Sequence, residues 1–218
     1  MMGKDINSEA LVSQNNSELL LLPLIGIGLF LVCYIVAASN YPGGSWMFPD
    51  ADGFSFQHNY LCDLLDEYAI NGELNAARFY ARTSLGSLCI SLLLIWFYLP
   101  KLFHPKSVNQ AIMRITGIVS LATIMLLNPN THDGTVRVAG IFGVLALISC
   151  FIELFKARYY CLFGLGILCL VVFLFNYYSY ETGSFIEFLP LIQKITFILF
   201  LTWFVFLNVT IYLKRKNN

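Results

Sequence analysis

The chain has 218 residues, of which 58% are hydrophobic, 16% aromatic and only 12% charged, with a mean hydropathy of +0.70. Soluble domains carry about a quarter charged residues, so this composition excludes an ordinary soluble domain. Thirteen basic residues balance thirteen acidic ones, which excludes a nucleic-acid partner, because phosphate binding needs a basic surface.

A hydrocarbon layer about 30 Å thick needs about 20 apolar residues per helix. Six stretches meet that length: 19–39, 81–99, 111–127, 136–155, 159–178 and 189–213. Backbone amides in lipid must be satisfied within their own segment. The expected fold is therefore all-α, a polytopic six-helix transmembrane bundle with a long structured first extracytoplasmic loop. Residues 1–18 form a cytoplasmic tail with a single lysine against three acids, a poor leader sequence. The first span is thus read as a retained helix rather than a cleaved signal.

Orientation follows the basic residues of the short loops. With both termini cytoplasmic, Lys4, Lys101, Lys106, Arg114, Lys156, Arg158 and the 214–218 tail lie on or near one side. The protein is expected in a bacterial cytoplasmic membrane. On that topology Asp50, Asp52, Asp63, Asp66, Glu67, Glu73, Asp133, Glu181 and Glu187 gather on the outer side. Of the six cysteines only Cys62 faces outward, which leaves no outer disulfide. Small thiols within the spans suit packing.

The one long connection, 40–80, opens on "SNYPGGSWMFPDADGFSF", whose prolines and glycines force turns and whose aromatics suit the headgroup layer. From "HNYLCDLLDEYA" the spacing of Leu61, Leu64, Leu65 and Tyr68 predicts a short interfacial helix, with Asn59, Asp63, Asp66 and Glu67 on its other face. Asn71 and Gly72 end it. A second helical stretch, "ELNAARFYARTSLGS", runs into span two and puts Arg78 and Arg82 one turn apart, where acids are set against arginines.

The second outer loop, "NPNTHDGTVR", packs Asn128, Asn130, His132, Asp133 and Arg137 into ten residues. A histidine beside a carboxylate suits a general base held in one tautomer, and a solvated helix cap accounts for the same residues. His58 and His132 share no local ligand motif, so no metal and no cofactor is assigned. Lys194 lies within span six, where an ionisable group is costly and tends to be paired. Glu181, Glu187 and Asp63 are its candidate counter-ions, and snorkelling to the interface is the alternative. Glu153 and Lys156 read as a local pair at the cytoplasmic edge. The run "FNYYSYETGSF" reads as part of an interfacial aromatic belt.

"YPGG" after span one, "GFSFQHNYLCDL" in the loop and "PNTHDG" opening a span resemble a group of six-span prokaryotic membrane proteins of unassigned function. These are similar in turn to the FRAG/DRAM/Sfk membrane proteins. The resemblance implies a topology over 19–213 and, through the eukaryotic set, work on lipids or lipid anchors. It carries over only Asn59 and Asp63, and His132 with Asp133. Cys62 stands where the looser pattern has serine, which weakens a hydroxyl nucleophile there.

The resulting expectation is an integral membrane protein with a polar, headgroup-level pocket for membrane lipid. Asn59, Arg78, Arg82, Arg137 and Lys194 would bind substrate. If it is an enzyme, it is a hydrolase or transferase acting on a lipid ester, with His132 as base and Asp133 or Asp63 as orienter. A non-catalytic organiser or sensor is the alternative, and a small-solute transporter the third reading.

Overall fold

The computed structural model describes residues 18–126 and 132–217, and of His132 only the backbone. Among these residues six α-helices occur: α1 Leu22–Ser39, α2 Arg78–Tyr98, α3 Val108–Ile124, α4 His132–Lys156, α5 Tyr160–Thr182 and α6 Leu189–Lys216. Five helical segments, Leu19–Ser39, Arg78–Leu102, Asp133–Lys156, Tyr160–Thr182 and Ile186–Lys216, are long and apolar enough to cross a membrane. α3 is apolar but shorter. This all-helical set is consistent with an integral membrane protein.

Local chemistry sets the helix ends. Pro23 and Pro190 sit in the first turns of α1 and α6, where a missing N–H costs nothing and φ is already helical. Ser107 caps α3 by accepting from Gln110 N at 3.3 Å. Gly183, at φ 71°, takes the left-handed conformation that closes α5.

Consecutive helices pack against one another, and α6 returns to touch α1 and α2, closing the bundle. We call the end bearing residues 40–77 the loop end and the opposite one the tail end. The main core runs through Ile95, Met113, Leu154, Trp203 and Leu207, all without exposed surface. Small residues let helices approach: a Cβ on Gly117 would overlap the Trp96 ring of α2. Polar seams add specificity, with Ser84 donating to Phe30 O at 2.9 Å and Ser87 to Gly26 O at 2.6 Å between α2 and α1. Ile25, Val32 and Ile35 of α1 are exposed at 60–69%, an outward apolar face that water would not favour.

The loop does not contain the interfacial helix expected from Leu61, Leu64, Leu65 and Tyr68. Only a 3-10 turn, Cys62–Leu65, forms there, and the chain leaves it extended at Asp66. Asn59, placed on the polar face by periodicity, is fully buried, and Tyr68, placed on the apolar face, is 61% exposed. The cause is local competition: the Asp63 carboxylate accepts from Tyr60 N at 2.8 Å, which supports a turn rather than a continuing helix. The second expected stretch also begins late, at Arg78, because Asn75 Oδ1 accepts from Ala77 N at 3.0 Å and stops the helix from extending backwards.

The loop instead has a small core of its own, in which Tyr41, Leu64 and Ala69 pack against Ala37, Ala77 and Ala81. Gly44, at φ 83°, lies where strands of loop backbone cross, and a Cβ there would press on Asn71 N at 2.5 Å and Pro49 O at 2.6 Å.

Candidate functional site

At the loop end, Asn59 is the hub. Its Oδ1 accepts from Ser55 N at 2.8 Å, and its Nδ2 donates to Gly44 O at 2.7 Å and Asp63 Oδ2 at 3.0 Å. All its side-chain polar atoms are thereby engaged, as a buried amide requires. Its carbonyl accepts from Lys194 Nζ.

Lys194 lies one turn into α6 and is only 3% exposed. It does not snorkel. Beyond Asn59 it donates to Pro190 O at 3.1 Å, and its ammonium lies 5.6 Å from the Phe54 ring centroid and 5.1 Å from that of Phe56. Of its expected counter-ions, Asp63 is the one that acts on it electrostatically, while Glu181 is taken by another cation. Next to Lys194, Gln193 Oε1 accepts from Leu61 N at 2.9 Å. α6 therefore grips the loop through adjacent side chains that both engage its backbone.

Burial holds the Asp63 carboxyl above the usual carboxylate range, against the hydrogen bonds from Asn59 and Tyr60 that favour its charge. Burial pushes the neighbouring Cys62 thiol up to about 12, with the Asp63 charge adding to it. A thiol so placed stays protonated at neutral pH and is no nucleophile.

Arg78 and Arg82 reach back from the first turns of α2 to the loop. Arg78 pairs with Glu67 at 3.0 Å, and Arg82 donates to Leu65 O at 3.2 Å. The acid-against-arginine arrangement is present without the two helices that were to create it. Arg137 of α4 pairs with Glu181 of α5 at 3.0 Å, and Tyr180 donates to Asp133 Oδ1 at 2.9 Å. Asp133 and Arg137 thus belong to an α4–α5 cluster, and Asn59, Asp63 and Lys194 to a loop–α6 cluster. The His132 side chain, with Asn128 and Asn130, lies outside the described residues, so its approach to Asp63 is not part of this geometry.

Several participants carry little sequence signal. Asn75, fully buried, donates to Leu64 O at 3.2 Å and Asp66 O at 3.0 Å; an asparagine just ahead of a helix was its only pointer. Phe54 and Phe56 read as interfacial aromatics, not as neighbours of a cation. Among the described residues, Tyr34 Oη and His58 Nδ1 find no hydrogen-bond partner although both are buried.

At the tail end Glu153 proves more than a local partner of Lys156, which approaches it only to 3.8 Å. Its buried carboxylate accepts from Asn109 and Gln110 at 2.9 Å each and from Ser107 at 3.1 Å. It clamps the start of α3 to α4.

Compared with family models, with curated proteins and with solved structures, the chain matches none.

Proposed function

We propose that the chain is a six-span protein of the bacterial cytoplasmic membrane, with both termini cytoplasmic, that organises or senses membrane lipid at the outer headgroup level without catalysing a reaction. The folded loop is its working surface, and the loop-end charges hold that surface in place. One observation carries this reading. Arg78, Arg82, Arg137 and Lys194, the cations suited to an anionic headgroup, each already engage an acid or a carbonyl of the protein itself. A lipid contacting this end would meet the loop's exposed aromatics, among them Trp46 at 77%, and interfacial tryptophan is a headgroup-level side chain.

A second reading, hydrolysis or transfer at a lipid ester, is favoured by the Tyr180–Asp133 hydrogen bond. That contact steadies the residue after His132, the candidate base, at the first turn of α4. The two readings part at His132→Ala, introduced into a strain lacking the native gene. The organiser reading expects the substituted protein, at normal abundance, to restore the native lipid profile. A profile matching the deletion strain would move the assignment to ester chemistry.

A further inference from the structure

Arg114 sits six residues past Val108, the first residue of α3, about 9 Å along the helix axis at 1.5 Å per residue. Its neighbours Ile112 and Ile115 are 46% and 56% exposed, so Arg114, itself exposed, shares an outward apolar face. A guanidinium on such a face is costly in hydrocarbon and requires a counter-charge.

Among the described residues no carboxylate forms an ion pair with Arg114. Glu153, the acid at the tail end of the adjoining α4, already accepts from Ser107, Asn109 and Gln110. What Arg114 does have is an aromatic floor, since its guanidinium carbon lies 5.9 Å from the centroid of Phe97 on α2. Beside it the Lys101 ammonium lies 4.6 Å from the Tyr98 centroid, and the two rings are 5.7 Å apart. Lys101 is also exposed and has no acidic partner among the described residues. Two cations are thus seated on adjoining rings of one helix end, at the margin of an apolar surface.

We propose that Arg114 and Lys101, seated on Phe97 and Tyr98, form a site for the phosphodiester of an anionic phospholipid at the tail end of α2 and α3. The guanidinium presents paired N–H donors that match two phosphate oxygens, and the lysine adds a point charge. The acyl chains then lie along the outward faces of Ile112 and Ile115. The site is at the opposite end of the bundle from the loop cluster and is independent of its assignment.

The test compares purified protein in nanodiscs of phosphatidylcholine with protein in nanodiscs containing phosphatidylglycerol. It reads the melting temperature and, by native mass spectrometry, the phosphatidylglycerol retained. The wild type is expected to melt higher with phosphatidylglycerol and to retain it. Arg114→Gln should weaken retention roughly tenfold, the effect of about 1.4 kcal/mol, and abolish most of the shift. Arg114→Lys and Phe97→Leu should each give a partial loss, and they carry the test if the glutamine variant fails to fold. Lys216→Gln is the control, because Lys216 also stacks on a ring, Tyr212 at 5.9 Å, but on α6. Equal losses in the Arg114 and Lys216 variants, or none in the Arg114 variants, overturn the proposal. Glycerol phosphate added to phosphatidylcholine nanodiscs should leave the melting temperature unchanged; a shift equal to that of phosphatidylglycerol would reassign the site to soluble phosphates.

Discussion

Lys194 of α6 and Asn59 of the loop meet through a hydrogen bond from the ammonium to the Asn59 carbonyl, 135 residues apart in sequence. The same asparagine holds Asp63 and Gly44 with its side chain. One backbone carbonyl therefore joins the loop's internal order to the bundle beneath it.

Replacing Lys194 tests that join. In Lys194→Met the aliphatic stem is kept, but the Asn59 carbonyl loses its donor, and an unsatisfied buried group costs about 1–3 kcal/mol. The variant should melt lower in detergent, and the loop should become more susceptible to limited proteolysis between residues 45 and 70. Glu67→Gln, which removes only a surface pair with Arg78, should change stability by less than about 1 kcal/mol. Equal proteolytic protection in Lys194→Met and wild type would show that the clasp is not what holds the loop down.

Asp63 makes the loop sensitive to pH in a defined sense. Its carboxyl is raised in the folded state, chiefly by burial. Such a group contributes most to stability below the unfolded carboxylate value, about 3.9, and that contribution is lost as pH rises through the folded value. The stability of wild type relative to Asp63→Asn should therefore grow as the pH is lowered from neutral toward the carboxylate range. Thermal melts of both proteins across that window read the difference directly. A difference that is flat or shrinks on acidification contradicts burial as the dominant influence on Asp63.

The apolar helices were legible because a bilayer requires a length and an apolarity that few other structures share, and five of the six reach that length. Observed helices α1 to α6 start or end within about four residues of the six apolar stretches, a normal uncertainty for helix termini. The loop was not legible in the same way. The spacing of Leu61, Leu64 and Leu65 is that of a helix, but a 3-10 turn also brings residues three apart together, and the deciding hydrogen bonds come from Asn59 and Asp63 side chains. Lys194 was recognisable as a buried, partnered lysine, yet its direct acceptors are two carbonyls, which every residue has and no pattern reveals. Glu153 was legible only as far as its pair with Lys156, which forms at 3.8 Å, for a related reason. Lys156, three residues on, is visible locally, whereas Ser107, Asn109 and Gln110 reach it across more than 40 positions.

Glu153 accordingly predicts a larger effect than an edge ion pair would. Glu153→Ala takes one acceptor from each of three neutral donors and opens a hole between α3 and α4, which should cost about 1–3 kcal/mol, the range for buried hydrogen-bonding groups left short of a partner. Lys156→Ala, which removes the exposed and distant partner, should cost less than about 1 kcal/mol. Equilibrium unfolding in mixed micelles, followed by Trp fluorescence, ranks the two. Comparable losses would return Glu153 to the status of a surface pair.

Glycine substitutions separate contact from mere composition. A Cβ at Gly117 meets the Trp96 ring, which itself packs edge-to-face with Phe204 at a centroid distance of 5.9 Å. Gly117→Ala should force α3 away from α2 at a cost of about 1–3 kcal/mol, the usual range for overpacking. At Gly28 of α1 a Cβ meets nothing within 4 Å, so Gly28→Ala should be neutral or stabilising by up to about 1 kcal/mol through helix propensity alone. The melting temperatures of the two variants should therefore move in opposite directions, or the second not at all. If Gly28→Ala proves as damaging as Gly117→Ala, the outward face of α1 is covered by something other than lipid, and a second protein surface packs there.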